Sequence, residues 1–189
     1  TLAYSFISGW QTYLIETANR VYGSYNSIAV DSQKNVHILY TDYYSGIYNL
    51  KYVKLVNGIG TPIAVDSGGS TGQDCSIAVS TDNIPHIAYY DISNRKLKYG
   101  KWNGSEFVLV DIESPGTVNS YVGQYCSIAL DRNNNPAIAY GAYITNPSYY
   151  YQLRYAKFDG VSWITGAATT AATNFTYGCL ALDKLGNPK

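Results

Sequence analysis

Short hydrophobic stretches alternate with polar turns along the chain, and similar stretches return at a nearly constant spacing. The clearest is Ser27–Asp31 (SIAVD), which recurs as Ser76–Ser80, Ser127–Asp131 and Cys179–Asp183, with starts 49, 51 and 52 residues apart. Short runs rich in Ile, Val, Leu and Tyr and bounded by turn residues are typical of β-strands. Because no stretch keeps a helical period, the chain is predicted to be all-β.

Each of these stretches is followed by further predicted strands. The second strand is predicted at Val36–Tyr40, Pro85–Tyr89 and Pro136–Tyr140. The third is predicted at Leu50–Lys54, Leu97–Lys101 and Leu153–Lys157, and a more variable fourth at Pro62–Asp66, Glu106–Ile112 and from Trp163 onward. Asp and Asn side chains cap tight turns, so a segment such as Asp31–Asn35 is expected to close a hairpin between the first and second strands.

Four-stranded antiparallel units that repeat about every fifty residues are typical of β-propeller blades. The motifs SIA(V/L)D, PHIAYYD and LKY resemble the blades of secreted prokaryotic β-propeller repeat proteins. The resemblance implies a propeller fold and says little about function. We predict one β-propeller domain over residues 1–189, with an outer half-blade (1–17), three blades (18–66, 67–113 and 114–170) and an inner half-blade (171–189). Three alternatives stay open: a ring of roughly four blades, a piece of a larger ring, or one subunit of an assembly.

The charge balance narrows the classes of partner. Lys+Arg and Asp+Glu both number 13, so the formal net charge is zero, which argues against a nucleic-acid partner. No apolar run reaches the roughly twenty residues of a membrane span, so membrane insertion is not expected. The 21 Tyr residues, together with many Gly, Ser and Asn, are typical of recognition surfaces and favour an extracellular or cell-surface protein.

The three cysteines and the acidic turns do not indicate a cofactor. We interpret Cys75, Cys126 and Cys179 as small buried side chains with reduced thiols, because equivalent positions in neighbouring blades are generally too far apart for a disulfide. The Asp/Asn turns lack the spacing and the Glu of an EF-hand, which leaves calcium only as an alternative.

One face of the predicted propeller collects many tyrosines, because the loops after the second and fourth strands lie at the same end. Aromatic rings beside hydroxyl and amide groups suit sugars, whose C–H faces stack while their hydroxyls form hydrogen bonds. The candidate ligand-binding residues at this face are Tyr43, Tyr44, Tyr90, Tyr125, Tyr143, Tyr150, Asp42 and Asp91. The tyrosines could equally pack between blades, and the two aspartates could cap loops.

Two tryptophans and two histidines occupy repeated positions. Trp102 and Trp163 are kept as candidate ligand-binding residues, although repetition at one position favours packing between blades. His37 and His86 match each other but are replaced by Ala137 in the third repeat, so we interpret them as structural.

The sequence therefore predicts a non-catalytic, lectin-like module that binds a glycan or protein surface through its tyrosine-rich loops. No catalytic motif is visible, so an enzyme is not expected. The first alternative is a structural protein that forms oligomers or filaments by adding strands to an open blade edge. The second alternative is a fragment of a propeller hydrolase.

Overall fold

The computed structural model describes residues 6–7, 10–17, 21–145, 148–169 and 178–189, and every regular element in these ranges is a β-strand. The strands are β1 (Phe6–Ile7), β2 (Trp10–Gln11), β3 (Val21–Val30), β4 (Val36–Tyr44), β5 (Ile47–Leu55), β6 (Ile63–Asp66), β7 (Thr71–Val79), β8 (Pro85–Asp91), β9 (Lys96–Trp102), β10 (Phe107–Glu113), β11 (Tyr121–Leu130), β12 (Pro136–Ile144), β13 (Tyr150–Phe158) and β14 (Trp163–Ala167).

Twelve of these strands form three sheets of four, each in chain order with antiparallel neighbours. We name the sheets unit 1 (β3–β6), unit 2 (β7–β10) and unit 3 (β11–β14). The prediction of four-stranded antiparallel units is confirmed. β1 and β2 form a short antiparallel pair, and 178–189 contains one isolated bridge, between Leu182 and Pro188. The described residues do not form a closed ring of four sheets.

Asp side chains close the turn between the first and second strands of a unit. In unit 1, the Asp31 carboxylate accepts backbone N–H groups of Gln33 and Asn35 at 2.9 and 2.8 Å. Asp131 and Asp183 make the same pair of contacts in their own turns. We call the end of the sheets that carries these turns the turn end, and the opposite end the tyrosine end.

Neighbouring units pack through apolar faces on their first three strands. One buried cluster joins Leu39, Leu50 and Tyr52 of unit 1 to residues of unit 2 that include Ile77 and Ile87. A second cluster joins unit 2 to unit 3 in the same way. First strands are also linked by a repeated hydrogen bond to a serine hydroxyl. The donors are the N–H groups of Ile77, Ile128 and Leu180, and the acceptors are Ser27, Ser76 and Ser127, at 3.0–3.1 Å.

The carboxylate that ends each of β6 and β10, and Glu16 of the segment 10–17, each bind a tyrosine and a basic residue of the next unit. The three sets are Glu16 with Tyr40 and Lys51, Asp66 with Tyr89 and Lys98, and Glu113 with Tyr140 and Arg154. Partly buried charges need such partners because their desolvation is otherwise uncompensated. The sets therefore link each unit to the next, and Glu16 links the segment 10–17 to unit 1.

Two sequence predictions about local placement were wrong. Tyr43, Tyr44, Tyr90 and Tyr143 lie within second strands and not in loops, because ladder pairing continues to the end of each hairpin, for example from Tyr43 to Tyr48. Cys75 and Cys126 are buried free thiols as expected, but Cys179 is exposed. When the repeats are aligned, Cys179 corresponds to Ser127, so it lies one residue after the position that Cys75 and Cys126 occupy.

Candidate functional site

Four tyrosines of unit 3 pack together at the tyrosine end. The rings of Tyr121 and Tyr143 are stacked, with centroids 5.1 Å apart and planes 27° apart. Tyr149 stacks on Tyr143 at 6.3 Å and 26°, and Tyr151 contacts Tyr143 at 4.8 Å. We call these four residues the tyrosine stack. Tyr149 is 76% exposed, so one ring of the stack faces solvent almost fully.

Strand register brings these rings together. Tyr121 of β11 is paired with Tyr143 of β12, which is in turn paired with Tyr151 of β13. Directly paired residues point to the same face of a sheet, and their side chains are close enough for aromatic contact. The stack thus lies across three adjacent strands of one sheet, and Tyr90 of unit 2 extends it, with its ring 6.4 Å from Tyr121.

The hydroxyls of Tyr121 and Tyr90 stay protonated at neutral pH. Burial raises the pKa of Tyr121, and a hydrogen bond with Tyr151 and the nearby Tyr125 and Tyr90 raise it further. Burial likewise raises the pKa of Tyr90 to about 12. A protonated hydroxyl both donates and accepts a hydrogen bond. The stack therefore offers uncharged aromatic surface with neutral hydrogen-bonding groups.

Unit 1 has a smaller group of tyrosines at the same end. Tyr48 contacts Tyr43 at a centroid distance of 4.7 Å and Tyr25 at 5.8 Å. Tyr43 and Tyr44 are 37% and 55% exposed, so this group also reaches solvent. Its rings meet at steeper angles than the stacked pairs of unit 3, and it presents no flat pair of rings.

Asp42 and Asp91 are buried beneath this end of the sheets. Asn49 donates to the Asp42 carboxylate at 2.7 Å, and Lys51 lies 3.4 Å from it. Asp91 accepts both the backbone N–H and the side-chain amide of Asn94 at 3.0 and 2.9 Å. Both carboxylates are held by the hairpin between the second and third strands. Their contact with a ligand stays a prediction.

The two candidate tryptophans lie between units. Trp102 of unit 2 packs on Tyr52 of unit 1 at 5.8 Å, and Trp163 of unit 3 packs on Tyr99 of unit 2 at 5.0 Å. They stand beside the turn end, away from the tyrosine stack. Tyr150, the first residue of β13, is half-buried and paired with Ile144.

Tyr125 lies nearer the middle of the molecule. It lines a cavity of about 280 Å³ with Ser24, Asn26, Asp74 and Gly178. The first strands of all three units and the segment 178–189 thus contribute to one cavity. Its lining includes residues at equivalent repeat positions, Tyr25, Asp74 and Tyr125.

The described part of the chain contains no group of three or more His, Cys, Asp or Glu side chains that could hold a metal ion. It also contains no helix long and apolar enough to cross a membrane.

No protein-family model matches this sequence, and no curated protein matches it. The structure is similar to that of a fucose lectin from Kordia zhangzhouensis solved in complex with methyl-fucoside, with a TM-score of 0.50 and 16% sequence identity. The similarity covers 77% of this chain and 99% of the lectin chain. At this identity the likeness concerns the fold.

Sequence reasoning selected Tyr143 and Tyr90 but did not select Tyr121, Tyr149 or Tyr151 as site residues. The missing signal was strand register. Aligning β12 and β13 by their PAIAY and LRYAK motifs places Tyr143 opposite Tyr151. The pairing of Tyr121 with Tyr143 also depends on two register shifts in β11, between Val122 and Gln124 and between Gln124 and Ser127, which the motifs do not reveal.

Proposed function

We propose that this protein is a non-catalytic carbohydrate-binding module whose sugar site is the tyrosine stack of unit 3. The observation that carries the proposal is the stacked pair Tyr121 and Tyr143 beneath the solvent-facing ring of Tyr149. Sugar C–H faces pack on aromatic rings, while neutral hydroxyls exchange hydrogen bonds with sugar hydroxyls. Tyrosine also loses little conformational entropy on binding, because it has only two side-chain torsions.

The likeness to a fucose lectin supports this proposal at the level of fold. That lectin was solved with methyl-fucoside, so a monosaccharide of this size is a reasonable first probe for the present chain. We also propose that the protein works outside the cell, in keeping with its tyrosine-rich, uncharged binding surface.

We further propose that the fold is a four-unit β-propeller. Residues 10–17 give unit 1 the contacts that a fourth strand gives elsewhere, through Glu16. Residues 178–189 give unit 3 the contacts of a first strand, through the Leu180 N–H and Ser127. Gly178 and Asn26 line the same cavity, which supports a fourth unit assembled from both segments around one axis.

A glycan array followed by calorimetry with the best ligands tests the binding proposal. We expect millimolar to micromolar affinity, and a loss of about tenfold or more for Tyr143→Ala and Tyr149→Ala, since a buried or stacked contact of this kind is worth about 1.4 kcal/mol or more. Leu185→Ala is the matched control, because Leu185 is 78% exposed at the turn end. A blank array at millimolar glycan, or equal losses in all three variants, would contradict the proposal.

A second candidate function is self-assembly, and the exposure of one repeated isoleucine favours it. Ile77 and Ile128 are each 6% exposed because they pack on the preceding unit, whereas Ile28 at the same position of unit 1 is 64% exposed. A groove between unit 3 and the segment 178–189 offers an apolar lining that includes Ala139, Leu153, Ile164 and Leu180. Apolar side chains cover Ile77 and Ile128 within the chain. The apolar groove of one copy could cover Ile28 of another copy in the same way.

Light scattering over a concentration series tests this second candidate. Self-assembly predicts a mass that rises with concentration and that returns to the monomer mass in Ile28→Glu. A constant monomer mass for the wild-type protein would exclude it and leave the glycan proposal untouched.

A further inference from the structure

Three hydroxyl groups meet beside the start of β11 and the end of β12. Ser120 Oγ lies 2.6 Å from Thr117 Oγ1 and 3.1 Å from Thr145 Oγ1, and the two threonine oxygens are 3.3 Å apart. The Thr145 N–H donates to Ser120 Oγ at 3.1 Å, and the Thr145 hydroxyl donates to the Val118 carbonyl at 2.8 Å. We call Thr117, Ser120 and Thr145 the hydroxyl cluster. Ser120 is only 1% exposed, so the cluster has a buried centre.

The hydrogen bonds of the cluster complete one another. A hydroxyl has one proton to donate and two lone pairs that accept. Because the Thr145 proton goes to Val118, the Thr145 oxygen accepts from a neighbouring hydroxyl. The Ser120 oxygen accepts the Thr145 N–H and donates its own proton to one of the two threonines. A buried network in which every member is paired stabilises a single arrangement of the segments that carry it.

The cluster continues a strand pair beyond the point where ladder pairing stops. The last pair of the β11–β12 ladder is Tyr121 with Tyr143. Ser120 directly precedes Tyr121, and Thr145 comes two residues after Tyr143. The end of a strand pair opens most easily, because its last residues are held on one side only. The hydroxyl cluster therefore closes the end of the sheet that carries the stacked rings.

The start of β11 is also held from the side of unit 2. The Val122 N–H donates to the Arg95 carbonyl at 3.1 Å, which ties β11 to the hairpin between β8 and β9. Tyr121 thus lies between two sets of hydrogen bonds. Tyr149 stacks on Tyr143, so the position of the solvent-facing ring depends on that of the pair beneath it.

Units 1 and 2 have other residues at this end of the first strand. In unit 2, Ser70 stands where unit 3 has Tyr121, and its N–H donates to the Ser93 hydroxyl at 2.8 Å. Unit 1 has Val21 at the same position, paired with Tyr43. The ring at the start of the first strand and the hydroxyl cluster beside it therefore occur together in unit 3.

We propose, on the basis of the proposed sugar site, that the hydroxyl cluster positions the tyrosine stack for binding. It holds Tyr121 and Tyr143 in the stacked arrangement before a ligand arrives. Side chains that become ordered only on binding reduce the affinity, so a site whose rings are already ordered binds more tightly. Ser120 is buried, so it acts through the rings and not by touching the sugar. The three hydroxyl residues are therefore positioning residues.

NMR of the free protein tests the positioning role without any ligand. Thr145→Val removes the hydroxyl and keeps the shape of the side chain, whereas Thr145→Ser keeps the hydroxyl. We expect the nuclear Overhauser contacts between the Tyr121 and Tyr143 rings to fall by about half or more in Thr145→Val and Ser120→Ala, and to stay unchanged in Thr145→Ser. Thr61→Val is the matched control, because Thr61 is exposed between β5 and β6, at the turn end.

Binding measurements then separate positioning from a general loss of stability. The probe is methyl-fucoside, or the array glycan that binds more tightly. We expect Thr145→Val and Ser120→Ala to weaken binding about fivefold or more, and Thr145→Ser and Thr61→Val to stay within about twofold of the wild-type protein. A lower Tm with unchanged Kd and unchanged ring contacts would mean that the cluster only stabilises the fold, and would overturn the proposal.

Two further outcomes decide between this proposal and the sugar site on which it rests. Equal weakening by Thr145→Ser and Thr145→Val would overturn the positioning role, because only one of them loses the hydroxyl. If Ser120→Ala does not fold, the two Thr145 variants decide. Unchanged affinity in Tyr149→Ala would contradict the sugar site itself, and the ring contacts in the free protein would still decide whether the cluster orders the stack.

Discussion

Units 1 and 3 have the same strands and the same register, yet they use the repeated positions differently. Unit 1 carries His37 near the start of its second strand and Asp42 near the end. Both side chains are buried and form hydrogen bonds. Unit 3 has Ala137 and Ala142 at these positions, and both are also buried. The second strand is therefore maintained by backbone pairing and apolar packing, and the polar clusters are additions to it.

Unit 3 differs from unit 1 in the aromatic groups at its surface. Its tyrosine end has the tyrosine stack, with the ring of Tyr149 facing solvent. Unit 3, which lacks the buried His and Asp of the second strand of unit 1, is the unit with stacked tyrosine rings at its surface. Four changes test this division of roles, from the largest expected effect on stability to the smallest.

The largest effect is expected for His37→Ala, which converts unit 1 to the pattern of unit 3. It leaves Asp31 without its imidazole donor and the Tyr52 hydroxyl buried without a partner. We expect a loss of about 3 kcal/mol in the free energy of unfolding, since a core cavity and unpaired buried groups both contribute. Urea unfolding measures it, and a loss below about 1 kcal/mol would mean that the cluster is not needed in unit 1.

Asp66→Asn is expected to cost about 2 kcal/mol, because the carboxylate accepts from Tyr89 at 2.6 Å and Lys98 at 2.7 Å. Burial alone would raise the pKa of Asp66, but the contacts with Lys98 and Tyr89 hold it below its usual value. Asp82→Asn is the matched control, because Asp82 is exposed in a turn of unit 2. Equal urea midpoints for the two variants would show that the contact between units 1 and 2 does not depend on this charge.

An effect of similar size is expected from pH. Burial lowers the pKa of His86 from 6.5 to about 4, and the charge of Lys101 adds to this. Burial also lowers the pKa of His37. The unfolded chain therefore takes up protons first as the pH falls, so stability is fully present above about pH 6.5 and is lost between there and about pH 4.

For His86 the loss between about pH 7 and pH 5 is expected to be about 2 kcal/mol. Unfolding titrations of the wild-type protein and of His86→Gln measure it, and the variant is expected to show a flatter slope in this window. Carboxylates with lowered pKa values, such as Asp66, take up their protons at lower pH, so they do not contribute to the slope in this window. An identical slope in both proteins would contradict the neutral, buried state of His86.

The smallest effect on stability is expected for Tyr149→Ala. Tyr149 is 76% exposed and contacts Tyr143 at its outer side, so the free energy of unfolding is expected to change by no more than about 0.5 kcal/mol. Glycan affinity is nevertheless expected to fall about tenfold or more. A large loss of stability would instead assign Tyr149 a packing role and weaken the comparison.

Sequence reasoning recovered the repeated units because each strand carries its own local signal. The motif at Ser27–Asp31 returns with each unit, and turn residues separate it from the second strand. The ends of the second strands were missed because Tyr43 and Tyr44 read as a polar, aromatic loop. In the structure they pair across a two-residue hairpin, Ser45 and Gly46, both with positive φ.

The contacts between units were harder to predict, because they join residues that are far apart in sequence. Glu113 and Arg154 belong to different repeats, and no local pattern connects them. A weak signal was present, because Asp66 and Glu113 each stand at the end of a fourth strand and Glu16 stands near the end of the segment 10–17. The sequence predicts that the tyrosines lie at one end of the sheets. Which rings stack on each other depends on strand register and side-chain torsions.

The most direct test of the central claim is a map of backbone amide shifts on titration with the best glycan from the array. We expect the largest shifts on Tyr121, Tyr143, Tyr149 and Tyr151, and in Tyr149→Ala we expect the remaining shifts to need about tenfold more glycan. Shifts confined to the turn end, around Asp31 and Asp131, or to the open face around Ile28, would contradict it.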